Sequence, residues 1–322
     1  MDKILQKAGY TEQQYSHGTV TLNYAVSPPK QRALLLIPGQ TMPWQSYTRV
    51  LPALARHFQV YALDIHGHGR SSRCPQRYTF EAITEDLVAF LYNVVQRPAF
   101  LSGNSSGGLF VTWMAAQAPD YAQGVIAEDP PFFSSEHPRL QQCFVYHVMK
   151  LFLETLDRPE GRDLGALFQR LEIPHKSGKR ISKIPVFLAR LLSSWLQRRQ
   201  AKTPDQPLDI PWLPLQLRLT IRSFSEYDPA FTRAFYENTM AGSFDHAAML
   251  AKIRCPFALI HANWFVHEKF GLVGAMIQEE AQRVCSLVPQ TRYLPVSAGH
   301  VVHLEAPKLF LQIVDDFTKD AI

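Results

Sequence analysis

Over the first 130 residues, short apolar runs alternate with longer stretches in which apolar positions recur at helical spacing. Residues 19–26 alternate like a half-buried strand, and 33–37 (ALLLI) form a continuous apolar run ending in Pro38-Gly39, the signature of a strand buried on both faces. Residues 45–56 then carry Tyr47, Val50, Leu51 and Leu54 at helical spacing, and 58–63 read as the next strand before the turn-rich DIHGHGRSS. A helix is predicted over 79–95, a strand over 99–102, a helix over 107–117 and a strand over 124–128. Strands separated by helices imply a mostly parallel sheet covered by helices on both faces, an α/β class.

The alternation stops near Phe132 and resumes after Asp245. Between them, residues 184–196 place apolar side chains at 184, 187, 188, 191, 192, 195 and 196, and Phe144, Val148, Leu151, Phe152 and Leu156 form a second helical stripe. The tail predicts a strand over 257–261, a helix around 268–287, a strand over 291–296 and a final helix from 305 to about 318. The expected organisation is therefore a core in two parts, 1–131 and 246–322, interrupted by a helical cap at 132–245. So long a segment without structure of its own would be out of place in a compact domain.

Composition narrows the class. With 46% hydrophobic and 19% charged residues the chain of 322 has ample material for a core, which excludes wholesale disorder. The net charge of +5 is too modest to suggest nucleic acid. Four scattered cysteines lack metal-binding spacing and read as reduced thiols. The first residues offer no apolar signal segment, and no run is long and apolar enough to span a membrane; a cytoplasmic protein is expected.

Three segments carry candidate chemistry. Gly103-Asn104-Ser105-Ser106-Gly107-Gly108 fits G-x-S-x-G between a predicted strand and helix, where small neighbours allow a sharp turn that pushes the Ser105 side chain outward. Ser297-Ala298-Gly299-His300 follows the last strand, so His300 falls in a loop from which an imidazole can serve as general base; His303, at the start of the next helix, reads as structural. Pro38-Gly39-Gln40-Thr41 follows the ALLLI strand, and a backbone N–H there, together with that of Ser106, would suit an oxyanion hole; a plain β-to-α turn is the alternative.

Through LLLIPGQ, LDIHGHGRSS, GNSSGG and AGHVVHLEAP, the chain resembles lidded enzymes of the α/β-hydrolase fold. The resemblance spans nearly everything outside the insertion and implies Ser105 as nucleophile, His300 as general base, and Gln40 and Ser106 as amide donors to an oxyanion. Two departures stand out. Pro38 replaces the usual histidine of the His-Gly turn, and Trp264 stands where many members carry the acid after the next-to-last strand. Some related enzymes place the acid about two dozen residues beyond the nucleophile, which implies Asp129; Glu128 and Glu268 remain alternatives.

The reading is thus a serine hydrolase acting on an ester or lactone of a mainly apolar small molecule, with no metal or organic cofactor. Carbon–carbon bond hydrolysis or lyase chemistry on the same residues, or a ligand-binding relative with little turnover, are the alternatives. Trp264, Phe132 and Phe133 are candidate pocket residues, though most aromatic side chains of the insertion are expected to pack the cap. Residues 158–202 hold eleven basic side chains against three acids. A solvated helical face is the plain reading of this charge, with attraction to an anionic substrate or an anionic membrane surface as sharper ones. The oligomeric state is not legible.

Overall fold

The computed structural model describes residues 3–157, 164–176, 180–202, 207–210, 212–213 and 215–320. Among these, eight strands form one sheet: β1 (Thr11–His17), β2 (Val20–Val26), β3 (Arg32–Ile37), β4 (Phe58–Asp64), β5 (Ala99–Asn104), β6 (Ala122–Glu128), β9 (Phe257–His261) and β12 (Thr291–Pro295). Two small antiparallel hairpins, β7 (Glu172–Pro174) with β8 (Ile181–Lys183) and β10 (Phe265–His267) with β11 (Gly271–Val273), lie outside it. The sheet order is β1-β2-β4-β3-β5-β6-β9-β12. It is antiparallel only where β2 meets β1 and β4, and parallel from β4 onward.

The unbroken ALLLI run is explained by the two faces it serves. Leu35 and Ile37 join a core on one side with Leu101, Ala127 and residues of helices Phe80–Phe90, Ser106–Gln117 and Gln278–Leu287. Leu34 and Leu36 join a second core on the other side with Val60, Phe100, Ile126 and residues of helix Pro307–Asp320. Side-chain alternation with period two sends successive leucines to opposite faces, so both must be apolar.

Strand β1 and the region 265–287 differ from expectation. Strand β1 was not anticipated because TEQQYSH is polar; it is an exposed edge strand held by its backbone ladder to β2. The helix expected around 268–287 begins only at Gln278, and residues 265–273 form the β10–β11 hairpin instead. Gly271 has φ +68, which stops a helix there.

The insertion packs partly by itself. Phe152, Leu156, Leu167, Phe168, Ala189, Leu196, Leu208, Ile210, Ile221 and Phe224 form their own apolar cluster. That cluster is narrower than the 132–245 span drawn from the sequence. Phe132, Phe133, Phe231 and Phe235 at its two ends belong to the main core, since large rings adjacent to the sheet bury more area there.

Candidate active site

Ser105 sits between the end of β5 and the first residue of helix Ser106–Gln117, with φ 53 and ψ −125. Such a conformation costs about 1–3 kcal/mol in a non-glycine residue and persists only where the surroundings enforce it. Here the Ser105 N–H donates to Glu128 O at 2.8 Å and the Gly108 N–H to Ser105 O at 2.9 Å. Gly107 is required, because a Cβ there would lie 2.3 Å from Ile37 O. The turn leaves the Ser105 side chain partly exposed while its neighbours Asn104 and Ser106 are buried.

Strand register brings the next groups in. Asn104 of β5 is opposite Glu128 of β6, so Ser105 and Asp129 leave adjacent strand ends together. Asp129, 1% exposed, accepts the Ala262 N–H on Oδ1 at 3.0 Å, and its Oδ2 lies 2.6 Å from His300 Nδ1. The His300 carbonyl accepts from Asn104 Nδ2 at 2.8 Å, tying the histidine loop to the residue before Ser105. The imidazole is 42% exposed. Desolvation lowers its pKa, but the Asp129 hydrogen bond and the charges of Asp129, Glu128 and Glu305 outweigh this, so the net shift is upward. Among the described residues no hydrogen bond joins the Ser105 hydroxyl to this ring; catalytic contacts of this kind tighten as the reacting complex forms.

The turn after β3 borders the same point. A Cβ on Gly39 would lie 2.9 Å from Ser105 Cβ, so only glycine allows this approach. The Met42 N–H closes the turn onto Gly39 O at 3.0 Å, with Thr41 at φ 70. Among the described residues, the backbone N–H groups of Gln40 and Ser106 have no acceptor within the protein. His68 of the DIHGHG turn holds the strained Thr41 N–H on Nε2 at 3.0 Å, with Nδ1 2.8 Å from His66 O. Burial lowers the His68 pKa to about 4, which keeps the ring neutral and able to accept. The Gln40 side chain reaches the other way, donating to Tyr227 Oη at 2.9 Å and Thr232 Oγ1 at 2.8 Å. Neither His68 nor Tyr227 and Thr232 was singled out from sequence; the HGHG turn was the one available signal.

The other candidate residues fall elsewhere. Glu128 is fully buried against His303, whose Nδ1 lies 2.9 Å from Oε1 and 2.8 Å from Oε2 and whose N–H donates to Oε1 at 2.9 Å. His303 also stacks on Tyr47 with ring centroids 3.9 Å apart. Glu268 lies in the exposed turn of the β10–β11 hairpin. Phe132 and Phe133 are 0% and 4% exposed: both rings approach His246, and the Arg283 guanidinium covers Phe133 at 3.9 Å. They offer a ligand almost no surface, because core packing consumes it. Trp264 stays partly exposed and stacks on His261. Among the described residues, no cluster of three or more His, Cys, Asp or Glu side chains could hold a metal ion, and no helix is long and apolar enough to cross a membrane.

Comparison with known proteins bears on the fold and the family. The chain is 35% identical over 103 residues to N-formylmaleamate deformylase of Pseudomonas putida, covering 32% of this chain and 38% of that protein. It is 32% identical over 201 residues to bifunctional epoxide hydrolase 2 of Mus musculus, covering 60% of this chain and 36% of that one. The alignments thus span well under half the length of these curated relatives. Among solved structures, carboxylesterase CesB of Bacillus subtilis superposes with a TM-score of 0.65 at 18% identity, over 99% of this chain and 96% of that one, a likeness of fold. The sequence profile of the alpha/beta hydrolase fold matches residues 32–204, and the chain belongs to that family.

Proposed function

We propose that the protein is a serine hydrolase that cleaves a carboxylic ester or lactone of a mainly apolar small molecule through an acyl-enzyme. The observation that carries this reading is the 2.6 Å contact between His300 Nδ1 and the buried Asp129, one residue off the strand beside the Ser105 turn. In this mechanism His300 takes the Ser105 proton on Nε2 as Oγ attacks the carbonyl carbon. Asp129 fixes the ring with its proton on Nδ1 and stabilises the imidazolium that forms. The uncommitted N–H groups of Gln40 and Ser106 receive the developing oxyanion. The imidazolium protonates the leaving alkoxide. Water, deprotonated by the same ring, then attacks the acyl carbon and releases the acid. A serine at this position sets the chain apart from chemistry that needs a carboxylate nucleophile.

The test is labelling with a fluorophosphonate, read by intact mass on wild type and Ser105→Ala. One adduct on wild type and none on the variant is expected, followed by turnover in a panel of esters and lactones. A folded wild type that takes no adduct, or an equally labelled Ser105→Ala, would remove the serine mechanism. Labelling without turnover of esters or lactones would remove the substrate class.

A further inference from the structure

We propose that the outward face of helix Val186–Lys202, with Trp212 beside it, is a docking surface for an anionic lipid bilayer. The helix buries Ala189 and Leu196 in the insertion's own cluster, which accounts for one face. Phe187, Leu191 and Trp195 then recur every fourth residue on a different face, 64%, 66% and 37% exposed. Leu188 adds to this stripe at 47% exposure. Trp212, 70% exposed, meets Trp195 edge-on with ring centroids 5.9 Å apart. A surface helix ordinarily keeps one apolar face and turns the other, polar, to water; a second contiguous apolar stripe marks a surface that something covers.

The charge on the same face selects the occupant. Arg190 lines a shallow groove with Phe187 and Leu191. Arg198 and Lys202 stand two turns beyond Leu191 and Trp195 respectively, and so on their side of the helix. Among the described residues, Arg190, Arg198 and Lys202 have no ion-pair partner. The Arg199 guanidinium lies over the Trp195 ring at 5.7 Å. Of the eleven basic residues in 158–202, Arg158, Arg162 and Lys179 lie outside the described residues. A second copy of this chain would bring the same positive charge to the same place and be repelled. Leu188 and Leu191 within the patch offer a nucleic-acid base neither a hydrogen bond nor a stacking face. An anionic membrane satisfies both halves at once: headgroups pair with the basic side chains, and the acyl boundary takes Phe187, Leu191 and the tryptophans. This docking does not depend on the hydrolytic reading.

The experiment is co-sedimentation of the full chain with unilamellar vesicles of phosphatidylcholine alone and of phosphatidylcholine mixed with phosphatidylglycerol. Wild type should pellet with the anionic vesicles, with blue-shifted tryptophan emission, and be released by high salt. Removing charge in Arg190→Gln, Arg198→Gln and Lys202→Gln should weaken partitioning by about fivefold per residue, from about 1 kcal/mol for each basic side chain near the surface. Phe187→Ser with Leu191→Ser should abolish the blue shift with the thermal midpoint unchanged, since both side chains are exposed. Wild type that stays in the supernatant with anionic vesicles overturns the proposal. So does a doubly serine-substituted protein that binds like wild type, or a concentration-dependent dimer that this double substitution dissolves.

Discussion

Replacing Asp129 by Asn probes the proposed chemistry with almost no change of shape. Asp129 has two obligations: Oδ1 accepts the Ala262 N–H at 3.0 Å, and Oδ2 faces His300 Nδ1 at 2.6 Å. An Asn side chain has one oxygen, and the buried Ala262 N–H claims it, since an unsatisfied buried donor costs about 1–3 kcal/mol. The amide NH2 then points at His300 Nδ1, which must become the acceptor. The ring is forced into the Nε2–H tautomer and cannot take the Ser105 proton. A loss of roughly 10⁴-fold in acylation rate follows, equivalent to about 5.5 kcal/mol of barrier. The folded state should be little affected. The pH profile carries a second signature: the Asp129 hydrogen bond and charge hold the His300 pKa up, so removing the charge lets it fall, and the acid limb of any residual activity should move to lower pH. The assay is the second-order rate of fluorophosphonate labelling across pH, with denaturant unfolding as the control for folding. Labelling within about tenfold of wild type with an unmoved acid limb would refute the reasoning and leave Asp129 as a turn residue.

Glu128→Ala should destabilise the protein by about 3–5 kcal/mol, because it strands the buried His303 ring and N–H without an acceptor; Glu128→Gln should cost less, and equal urea midpoints for Glu128→Ala and wild type would contradict this. The contribution of two buried histidines to stability should also fall in mild acid. Burial lowers the pKa of His68 to about 4 and of His246 to about 3, below the roughly 6.5 expected when unfolded, so the unfolded chain binds protons first as pH drops. Their contribution is complete above about pH 6.5 and is lost toward pH 4 and below, at up to about 1.4 kcal/mol per pH unit for each ring. His300, with a raised value, and Asp64, raised by burial to about 7, work in the opposite sense, so the measurement is the difference between wild type and His246→Gln in urea unfolding at neutral pH and pH 5. A slope unchanged by the substitution would show that His246 is not buried neutral.

Where sequence and structure part company, the cause lies in what a pattern can encode. The sheet was legible because a strand buried on both faces must be apolar at every position, as Leu34, Leu35 and Leu36 are. Edge strand β1 was not, since its stability comes from backbone pairing that TEQQYSH does not announce. The helix around 268–287 failed for a related reason: alternating apolar residues in a short hairpin resemble one helical turn, and the break appears only where Gly271 takes φ +68 against Gln142 O. Phe132 and Phe133 looked like pocket residues because ring chemistry is the same in a core as in a cleft.

By itself the sequence determined a mostly parallel α/β sheet, the outward turn at Ser105 and the loop position of His300, because strand alternation and small residues at sharp turns are local requirements; the α/β-hydrolase fold came from the resemblance of its motifs. Tertiary structure alone decided which carboxylate meets which histidine. Glu128 and Asp129 are neighbours in the chain, yet successive residues at the end of β6 face different ways, so Glu128 turns to His303 and Asp129 to His300. It likewise decided that His68 would hold the turn after β3, and that Phe187, Leu191 and Trp195 would face away from the insertion's own apolar cluster. Those outcomes depend on which elements come to lie side by side, and periodicity along one chain segment carries no record of its neighbours.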